Sequence, residues 1–488
     1  MEQRGEMSEQ PGSAAAPGRT RGSVAAIVAV AVLLLAEAGA VFWTVTSHAQ
    51  ASWITLTGTA IAWLLSILAA AVLRKAPARA VPAVVLAGAL LLGAAALAAP
   101  PSTSNDSARY AWDGIVQISG DSPYTRVPAD SSNAALRPDW LFAQPGADGT
   151  CSPGLFPTGT ETTTETSGGA TLCTAINRPQ VHTIYPAVAE LYFAGVRLVV
   201  PAGVGFVAFQ AAGAAIALAV TFGLLMFFRR SGLPAYRTAW WAFSPLVVFE
   251  AINNAHVDVL GSALLLVAVL ALARGRVLGS GLAFGAAVAT KLIPAIAAPA
   301  LLYRRPVRFV LAAVAAFVVS YVPYVLSSGW AVIGFLPGYL KEEGYNSKST
   351  SRFELLRIFL PDSWDLPAGL VLLAVLAAYC LLRVDRNRPW TTQLLMITGT
   401  LLIVTPGYPW YALLLIPFVA ISGRVEYLAV PLAITVMYLT VTRPDSPALT
   451  RLALVLALLV VLGGAGWRRL RHRRGANRAR HVSAGQAS

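Results

Sequence analysis

The fold class is set by residues 80–117, which read AVPAVVLAGALLLGAAALAAPPSTSNDSARYAWDGIVQ. The stretch opens with an uninterrupted apolar run, residues 80–99, long enough to cross a bilayer as one helix. The residues that follow are polar and bring two carboxylates, Asp106 and Asp113, to the end of that span. A carboxylate at a membrane surface can take a proton from a substrate that arrives through the lipid.

The composition of the whole chain supports the same conclusion. Hydrophobic residues make up 56% of the 488 residues, charged residues make up 12%, and the mean hydropathy is +0.63. A soluble domain of this size does not bury so much apolar surface, so we expect an all-α polytopic membrane protein. About twelve transmembrane helices are expected, at 23–46, 53–73, 80–99, 203–228, 236–252, 257–273, 308–328, 367–383, 391–405, 408–422, 425–441 and 448–467.

Short basic clusters orient these spans, because Lys and Arg in short loops stay cytoplasmic. All clusters fall on one side only if the run 277–303 leaves and returns on the cytoplasmic side as two re-entrant half-helices. Lys291 and Pro294 lie in the middle of that run. A lysine there is costly against lipid but tolerable in a broken helix that lines a cavity. The net charge of +14 follows from basic loops beside an anionic leaflet, so no nucleic-acid partner is expected.

The spans and loops divide the chain into regions. We expect a multi-pass protein of the plasma membrane whose largest loop, after the third span, is extracytoplasmic and more acidic than basic. Its parts are a disordered cytoplasmic arm at 1–21, two extra transmembrane helices at 22–75, a transmembrane core at 80–467 that contains the extracytoplasmic loop 100–201 and a second outer loop 329–366, and a basic cytoplasmic tail at 468–488.

The three cysteines differ in their surroundings. Cys151 and Cys173 lie in the large outer loop, where an oxidising compartment favours a disulfide that clamps the Thr- and Gly-rich insert 158–171. Cys380 lies in an apolar span and is expected to be a small buried residue.

The outer loop carries the pattern Asp-x-x-x-Tyr-x-Trp-Asp-Gly-x-Val-Gln-x-x-Gly-x-x-Pro-Tyr from Asp106 to Tyr124. It resembles the first outer loop of bacterial GT-C mannosyltransferases that use polyprenyl-phosphate mannose, and the chain is most similar to the actinobacterial GT87 type. The resemblance implies that Asp106 is the catalytic base, with Asp113 in reserve. It assigns substrate binding to Tyr110, Trp112, Gln117 and Tyr124. Two alternatives stay open: one is that Asp106 serves only to cap a loop helix, and the other is that the Asp-Gly pair at Asp113 forms a turn.

A second polar cluster follows at Asn254, His256 and Asp258, and it resembles the family's Asn-x-His-x-Asp motif. A carboxylate can tune the imidazole two residues away, which suits the binding of sugar hydroxyls or a phosphate. The alternative is a solvated turn in which Asp258 caps the next helix.

Cationic and aromatic candidates come later in the chain. Lys291 resembles the family's Lys-x-x-Pro element and would face the donor phosphate, or else snorkel to the interface. Arg352 and Arg357 lie in a segment that resembles the family's juxtamembrane helix. Arg357 is the first choice for the lipid phosphate; the two diverge on a helix, and a solvated interfacial helix is the alternative. Trp410, in a Pro-Trp-Tyr turn, would line the sugar pocket or anchor at the interface.

Taken together, the resemblance implies an inverting glycosyltransferase. It would move a sugar, expected to be mannose, from a polyprenyl-phosphate donor to a lipid-linked or glycan acceptor at the outer face of the membrane. The partners are then the lipid-linked donor, the acceptor and membrane lipids, with no cofactor and no metal. A lipid or oligosaccharide transporter or flippase is the alternative, but it should show two pseudo-symmetric halves, which this sequence does not. A phosphate-binding Gly-x-x-x-x-Gly-Lys-Ser loop is also absent.

Overall fold

The computed structural model describes residues 23–47, 52–151, 162–338 and 352–485. The expected disordered arm at 1–21 and much of the second outer loop lie outside the described residues. Most of the described chain is helical. The α-helices are α1 Val24–Ser47, α2 Ser52–Leu73, α3 Val81–Ala96, α4 Asp106–Ile118, α5 Ala187–Val199, α6 Val207–Ser231, α7 Ala239–Ala242, α8 Asp258–Ala273, α9 Val277–Thr290, α10 Pro306–Ser328, α11 Asp362–Leu382, α12 Pro389–Val404, α13 Ile416–Ser422, α14 Ala429–Thr440 and α15 Ser446–Gly485.

Six helices in the described part of the chain are long and apolar enough to cross a bilayer. They are Val24–Ser47, Trp53–Leu73, Val207–Ser231, Pro306–Gly338, Asp362–Leu382 and Ser446–Arg471. A seventh span results if a π-helix, Val247–Asn253, is counted with α8, to which it is bent by 114°. Several expected spans, including the one at 80–99, are shorter apolar helices. The protein is therefore polytopic, and the count of twelve stays a prediction.

The run 277–303 consists of two short helical pieces. Helix α9 ends at Thr290, Lys291 is extended with φ −160° and ψ 145°, and a 3-10 helix, Ile293–Leu301, follows. Proline at Pro294, the second position of the 3-10 helix, suits a helix start because that position needs no amide donor. The chain thus breaks at the lysine, as the sequence predicted.

Two glycines of α9 show the direction of these pieces. A Cβ atom on Gly281 would lie 2.4 Å from the carbonyl oxygen of Phe309, and one on Gly285 would lie 2.1 Å from that of Ala313. The contacts advance in the same order along α9 and α10, so the two helices are parallel and touch through their backbones. The 3-10 segment between them must therefore run back, and the run 277–303 leaves and returns at one end of the molecule.

The described residues of the large loop, 100–151 and 162–201, are here called the loop subdomain. It contains α4, α5 and a three-stranded antiparallel sheet in the order β1-β3-β2, with β1 Phe142–Ala143, β2 Thr162–Glu165 and β3 Thr171–Thr174. Cys173 in β3 forms a disulfide with Cys151, with Cα atoms 5.6 Å apart. The all-α prediction missed this sheet, because strands of two to four residues are too short to give a periodic signal.

The motif-bearing helix α4 packs closely on α5. Gly114 lies in the middle of α4, where a Cβ atom would stand 2.6 Å from the carbonyl oxygen of Phe193 and 2.8 Å from Cγ of Arg197. Glycine is therefore needed for the approach of two helices and not for a turn. The alternative reading of Asp113-Gly114 as turn chemistry was wrong.

The junction between the π-helix and α8 places the second motif beside the loop subdomain. Ala255 has φ 56°, the left-handed conformation that residues with a side chain seldom adopt. The amides of Asn253 and Asn254 accept hydrogen bonds from the backbone N–H of Ser102, at 3.0 and 3.1 Å. These bonds fix the chain between α3 and α4, so they determine where Asp106 begins its helix.

Candidate active site

A polar cavity of about 360 Å³ lies between the loop subdomain, the helix break at Lys291 and the turn at 408–411. Three residues singled out from the sequence line it, namely Asp106, Lys291 and Trp410. The other lining residues are Thr103, Ser104, Asn105, Arg109, Asn177, Arg178, Val181, His182, Ile184, Tyr185, Tyr408, Tyr411 and Tyr438. Polar hydroxyl, amide and charged groups therefore face one space from five separate parts of the chain.

Asp106 is the first residue of α4 and its side chain is 20% exposed. The capping position belongs to Asn105, which makes no side-chain capping bond. The Asp106 carboxylate instead lies 3.8 Å from Nε2 of His256. Its side chain is thus directed to the cavity and the histidine, and the capping alternative does not describe this structure.

His256 is completely buried beneath the cavity. Its Nδ1 lies 3.1 Å from Oε2 of Glu250, and its Nε2 lies 3.0 Å from Oγ of Ser104. The ring stacks on Trp410 at 3.8 Å between centroids. The expected partner of the imidazole was Asp258, but the left-handed turn at Ala255 folds the ring back onto Glu250.

Asn254 and Asp258 have structural partners. The side-chain amide of Asn254 donates to Oγ1 of Thr103 at 2.7 Å and to Glu250 at 3.1 Å. Asp258 begins α8 and pairs with Lys291 at 2.8 Å. Neither residue lines the cavity, so the prediction that they contact substrate is corrected to a role in holding the residues that do.

Lys291 lies where α9 breaks, and its side chain is 16% exposed. Its Nζ stands 5.0 Å from the ring centroid of Tyr411 and 5.8 Å from that of Trp410. A cation held by a carboxylate and two aromatic rings is fixed in place. The snorkelling alternative places the ammonium group at a lipid interface, whereas here it faces the cavity.

A second cavity, of about 340 Å³, adjoins the first and is lined mainly by apolar side chains. The two cavities share the lining residues Lys291, Tyr411, Ile184 and Tyr185. The remaining lining residues of the second cavity are Pro186, Leu292, Ile293, Ile296, Leu336, Arg352, Leu373, Thr400, Leu401, Val404 and Pro406. A polar space and an apolar space therefore meet at one lysine.

The two arginines of the juxtamembrane segment lie in different surroundings. Arg352 lines the apolar cavity. Arg357 lines neither cavity, and its guanidinium lies 2.9 Å from Asp365, 3.7 Å from Asp362 and 3.9 Å from Glu354. Three carboxylates leave it little capacity for a further anion, so the first choice of Arg357 as the phosphate contact is corrected. Within the part of this segment that the structure describes, residues 352–361, a 3-10 helix covers Leu356–Ile358.

The remaining residues of the loop motif are buried away from the cavity. Tyr110 and Trp112 are 0% exposed and Tyr124 is 1% exposed, all packed among other aromatic rings. Gln117 donates to Glu190 at 2.9 Å and accepts from Tyr324 at 2.7 Å. The predicted substrate contacts of these four residues are corrected, because none of them lines the cavity: Tyr110 and Trp112 belong to the core of the loop subdomain, and Tyr124 and Gln117 contact Tyr324 of α10.

Asp113 is also fully buried and does not line the cavity. Burial raises its pKa to about 6, although the guanidinium of Arg109 opposes this shift. Burial likewise raises the pKa of Glu190, and the neighbouring Asp113 charge adds to the effect. Two buried carboxyl groups side by side hold a proton between them, so Asp113 is corrected from reserve base to part of a structural pair.

Some cavity residues had no assignment from the sequence. Arg109 lies one helical turn after Asp106, so the helical period offered a signal for it. It donates to the carbonyl oxygens of Arg178 and Val181 and so holds the cavity-lining segment 177–185. Glu250 lies outside the cavity, against His256, and was detectable as an acid at the end of an apolar stretch. His182 and Tyr438 are brought to the site by tertiary structure alone.

No group of three or more His, Cys, Asp or Glu side chains suited to a metal ion occurs among the residues that the structure describes. The absence of a metal and of a cofactor stays a prediction.

The comparison with protein families gives one result. Residues 183–417 match the model of glycosyltransferase family 87. The matched part is just under half of the chain; it includes the His256 cluster, Lys291 and Trp410, and begins after Asp106. No curated protein and no solved structure matches the chain significantly. The match supports a glycosyltransferase, and the apolar helices make it a multi-pass membrane protein.

Proposed function

We propose that the protein transfers a hexose, with mannose as the first candidate, from a polyprenyl-phosphate donor to a hydroxyl group of a glycolipid or glycan. The observation that carries this proposal is the meeting of the polar and apolar cavities at Lys291. A polyprenyl-phosphate sugar has an apolar chain and a polar sugar joined by one phosphate. The apolar chain corresponds to the apolar cavity, the sugar to the polar cavity, and the phosphate to the cation Lys291 between them.

The proposed chemical step uses Asp106 as a general base. The acceptor hydroxyl gives its proton to the Asp106 carboxylate, and the oxygen attacks the anomeric carbon from the face opposite the phosphate. The bond from that carbon to the phosphate oxygen breaks, and its electron pair leaves with the phosphate. A single displacement of this kind inverts the anomeric configuration.

Charge that builds on the departing phosphate needs fixed cations close by. Lys291 is the first candidate, because it lines both cavities and is held by Asp258 and two aromatic rings. Arg352, in the wall of the apolar cavity, is the second. Both replace Arg357 in this role.

We further propose that the site faces the outside of the plasma membrane. Helices α6 and α8 begin at the site end of the molecule and finish at Arg229-Arg230 and at Arg274, so their basic ends lie away from the cavity. Basic ends favour the cytoplasm. The disulfide of the loop subdomain fits an oxidising compartment.

Single cysteines test this orientation in intact spheroplasts. Ala135 is exposed in the loop subdomain and Ser231 is exposed at the end of α6. An impermeant thiol reagent should label Ala135→Cys and not Ser231→Cys. Labelling of Ser231→Cys alone would reverse the orientation.

A transfer assay tests the activity. Membranes that contain the protein are incubated with radiolabelled polyprenyl-phosphate mannose and extracted lipids, in parallel with Asp106→Asn membranes and with EDTA. Label should enter a new glycolipid or glycan only with the wild type, and EDTA should leave transfer unchanged. Movement of intact donor across the bilayer without transfer would favour a flippase. Transfer from another polyprenyl-phosphate sugar alone would retain the reaction and change the sugar.

A further inference from the structure

Glu250 completes a line of three titratable side chains that ends at the polar cavity. One imidazole nitrogen of His256 lies 3.1 Å from Oε2 of Glu250, and the other lies 3.8 Å from Oδ2 of Asp106. The hydroxyl of Ser104 stands beside the second nitrogen, at 3.0 Å. His256 is therefore a buried ring with a carboxylate on each side, and only the Asp106 side opens to the cavity.

The local backbone is built to hold this line. Glu250 lies in the π-helix and His256 follows it by six residues, yet the left-handed conformation of Ala255 brings the two side chains together. This conformation is strained for a residue with a Cβ atom, and such strain is concentrated at functional sites. Trp410 stacks on the ring and so prevents it from turning away.

We propose that Glu250 is a positioning residue for proton removal: it fixes His256 so that the imidazole can take from Asp106 the proton that Asp106 received from the acceptor. This inference rests on the proposed function. Two acceptor oxygens of Glu250 face Nδ1–H, the backbone carbonyl at 3.2 Å and the carboxylate Oε2 at 3.1 Å, which leaves the lone pair of Nε2 directed at Asp106 and Ser104. The proton then moves from the Asp106 carboxyl to Nε2, directly or through the Ser104 hydroxyl, and Asp106 is again a carboxylate. The imidazolium later releases this proton to water in the cavity by way of the Ser104 hydroxyl, which lines the cavity, and the site is ready for the next turnover.

The charges around the ring favour this transfer. The imidazolium that forms has carboxylates on both sides, and opposite charges at such distances stabilise a buried cation. Asp258 and Lys291 lie on neighbouring elements and pair with each other at 2.8 Å. Tyr438 donates its hydroxyl to the carbonyl oxygen of Thr103 at 2.5 Å, and Tyr408 stacks on Trp410 at 4.6 Å between ring centroids. Neither the paired lysine nor either phenol opposes the imidazolium as an unbalanced charge.

The test is the variant Glu250→Gln, which keeps the shape of the side chain and removes its charge. We expect kcat to fall about 10- to 100-fold while KM for donor and acceptor stays within about twofold, because general acid–base steps contribute on this scale and binding is untouched. The acid limb of the kcat profile should move to lower pH, because the imidazolium is less favoured without the Glu250 charge. In an Asp106→Asn background, Glu250→Gln should have no further effect.

The matched control is Glu354→Gln, a buried carboxylate paired with Arg451 at 3.1 Å and away from both cavities. It should leave kcat and its pH profile unchanged. A wild-type profile in Glu250→Gln, or an equal further loss in the Asp106→Asn background, would overturn the inference.

A measurement without substrate decides the case if Glu250→Gln does not fold. Solid-state ¹⁵N NMR of histidine-labelled wild-type protein in lipid, with His256→Gln to assign the signal, should show the neutral ring protonated at Nδ1. Protonation at Nε2 would refute the positioning role. Absence of sugar transfer by the wild type is a separate outcome, because it refutes the proposed function whatever the tautomer is.

Discussion

Asp106 and Asp113 lie on the same face of α4, seven residues or two helical turns apart, yet they have different surroundings. Asp106 is 20% exposed and faces the cavity and His256. Asp113 is 0% exposed and faces Glu190 and Arg109. The residue type and the helix position are equivalent, so the difference comes from the elements that each end of α4 meets. One end of the helix serves the site and the other end holds the subdomain together.

The comparison predicts that the same substitution lowers kcat far more at Asp106 than at Asp113. Asp106→Asn should lower kcat by about 10²- to 10⁴-fold, because the amide keeps the shape and cannot accept a proton. Asp113→Asn should change kcat less than about tenfold, because that side chain does not reach the cavity. Steady-state transfer by purified, folded variants measures both.

Equal losses in the two variants would remove the distinction between the two ends of α4. Near-normal turnover in Asp106→Asn would remove Asp106 as the base.

Lys291 and Arg357 differ in the same way: Lys291 lines the two cavities, whereas Arg357 pairs with carboxylates away from them. Lys291→Met should raise the donor KM by about 10- to 100-fold, because a charged hydrogen bond contributes about 1.5–3 kcal/mol. Arg357→Gln should change it less than about threefold. Donor-dependence curves at saturating acceptor give both values.

The control for Lys291→Met is the double variant Lys291→Met with Asp258→Asn, which leaves no unpaired buried carboxylate. It should fold better than the single variant and bind donor as weakly. Full recovery of the donor KM in the double variant would show that the lysine only neutralises Asp258.

The sequence predicted the parts of this fold that depend on local pattern. Apolar length identified the six long helices that can cross a bilayer, and the Lys291–Pro294 break identified the half-helices. It did not predict the sheet in the loop subdomain, whose strands are too short to show a period.

At the site, the sequence pointed to Asp106, Lys291 and Trp410, which line the cavity. It also assigned substrate contacts to Tyr110 and Trp112, which are core residues, because a motif shows which residues occur together and not which of them face a space. The sequence predicted Asp258 as the partner of the His256 imidazole, whereas the structure has Glu250. This difference depends on one left-handed residue, Ala255, which has no sequence signature.

The scaffold end of α4 should be sensitive to added volume. Gly114→Ala places a methyl group within 3 Å of the Phe193 carbonyl oxygen and of Cγ of Arg197, so we expect a loss of about 1–3 kcal/mol in stability. The matched control is Gly195→Ala on the facing helix α5, where no atom lies within 4 Å of the added group. Thermal unfolding in detergent compares the two. Equal melting temperatures would contradict the close approach of α4 and α5.

The smallest effect concerns pH. Burial raises the pKa of Asp113 to about 6, above its value of about 3.9 in an unfolded chain, so between these pH values the folded protein binds the extra proton. The proton on Asp113 therefore stabilises the folded state fully below about pH 4, and this stabilisation is lost as the pH rises through about 6. The free energy of unfolding falls by at most about 1.4 kcal/mol per pH unit for one proton. Asp113→Asn should flatten this decline in melting temperature between pH 4 and 7. Asp139→Asn, at an exposed carboxylate of the same subdomain, should leave it unchanged. If the melting temperature of Asp113→Asn declines with pH as steeply as that of the wild type, Glu190 alone retains the proton. Asp113 would then be charged like Asp106, and the two carboxylates of α4 would differ only in exposure.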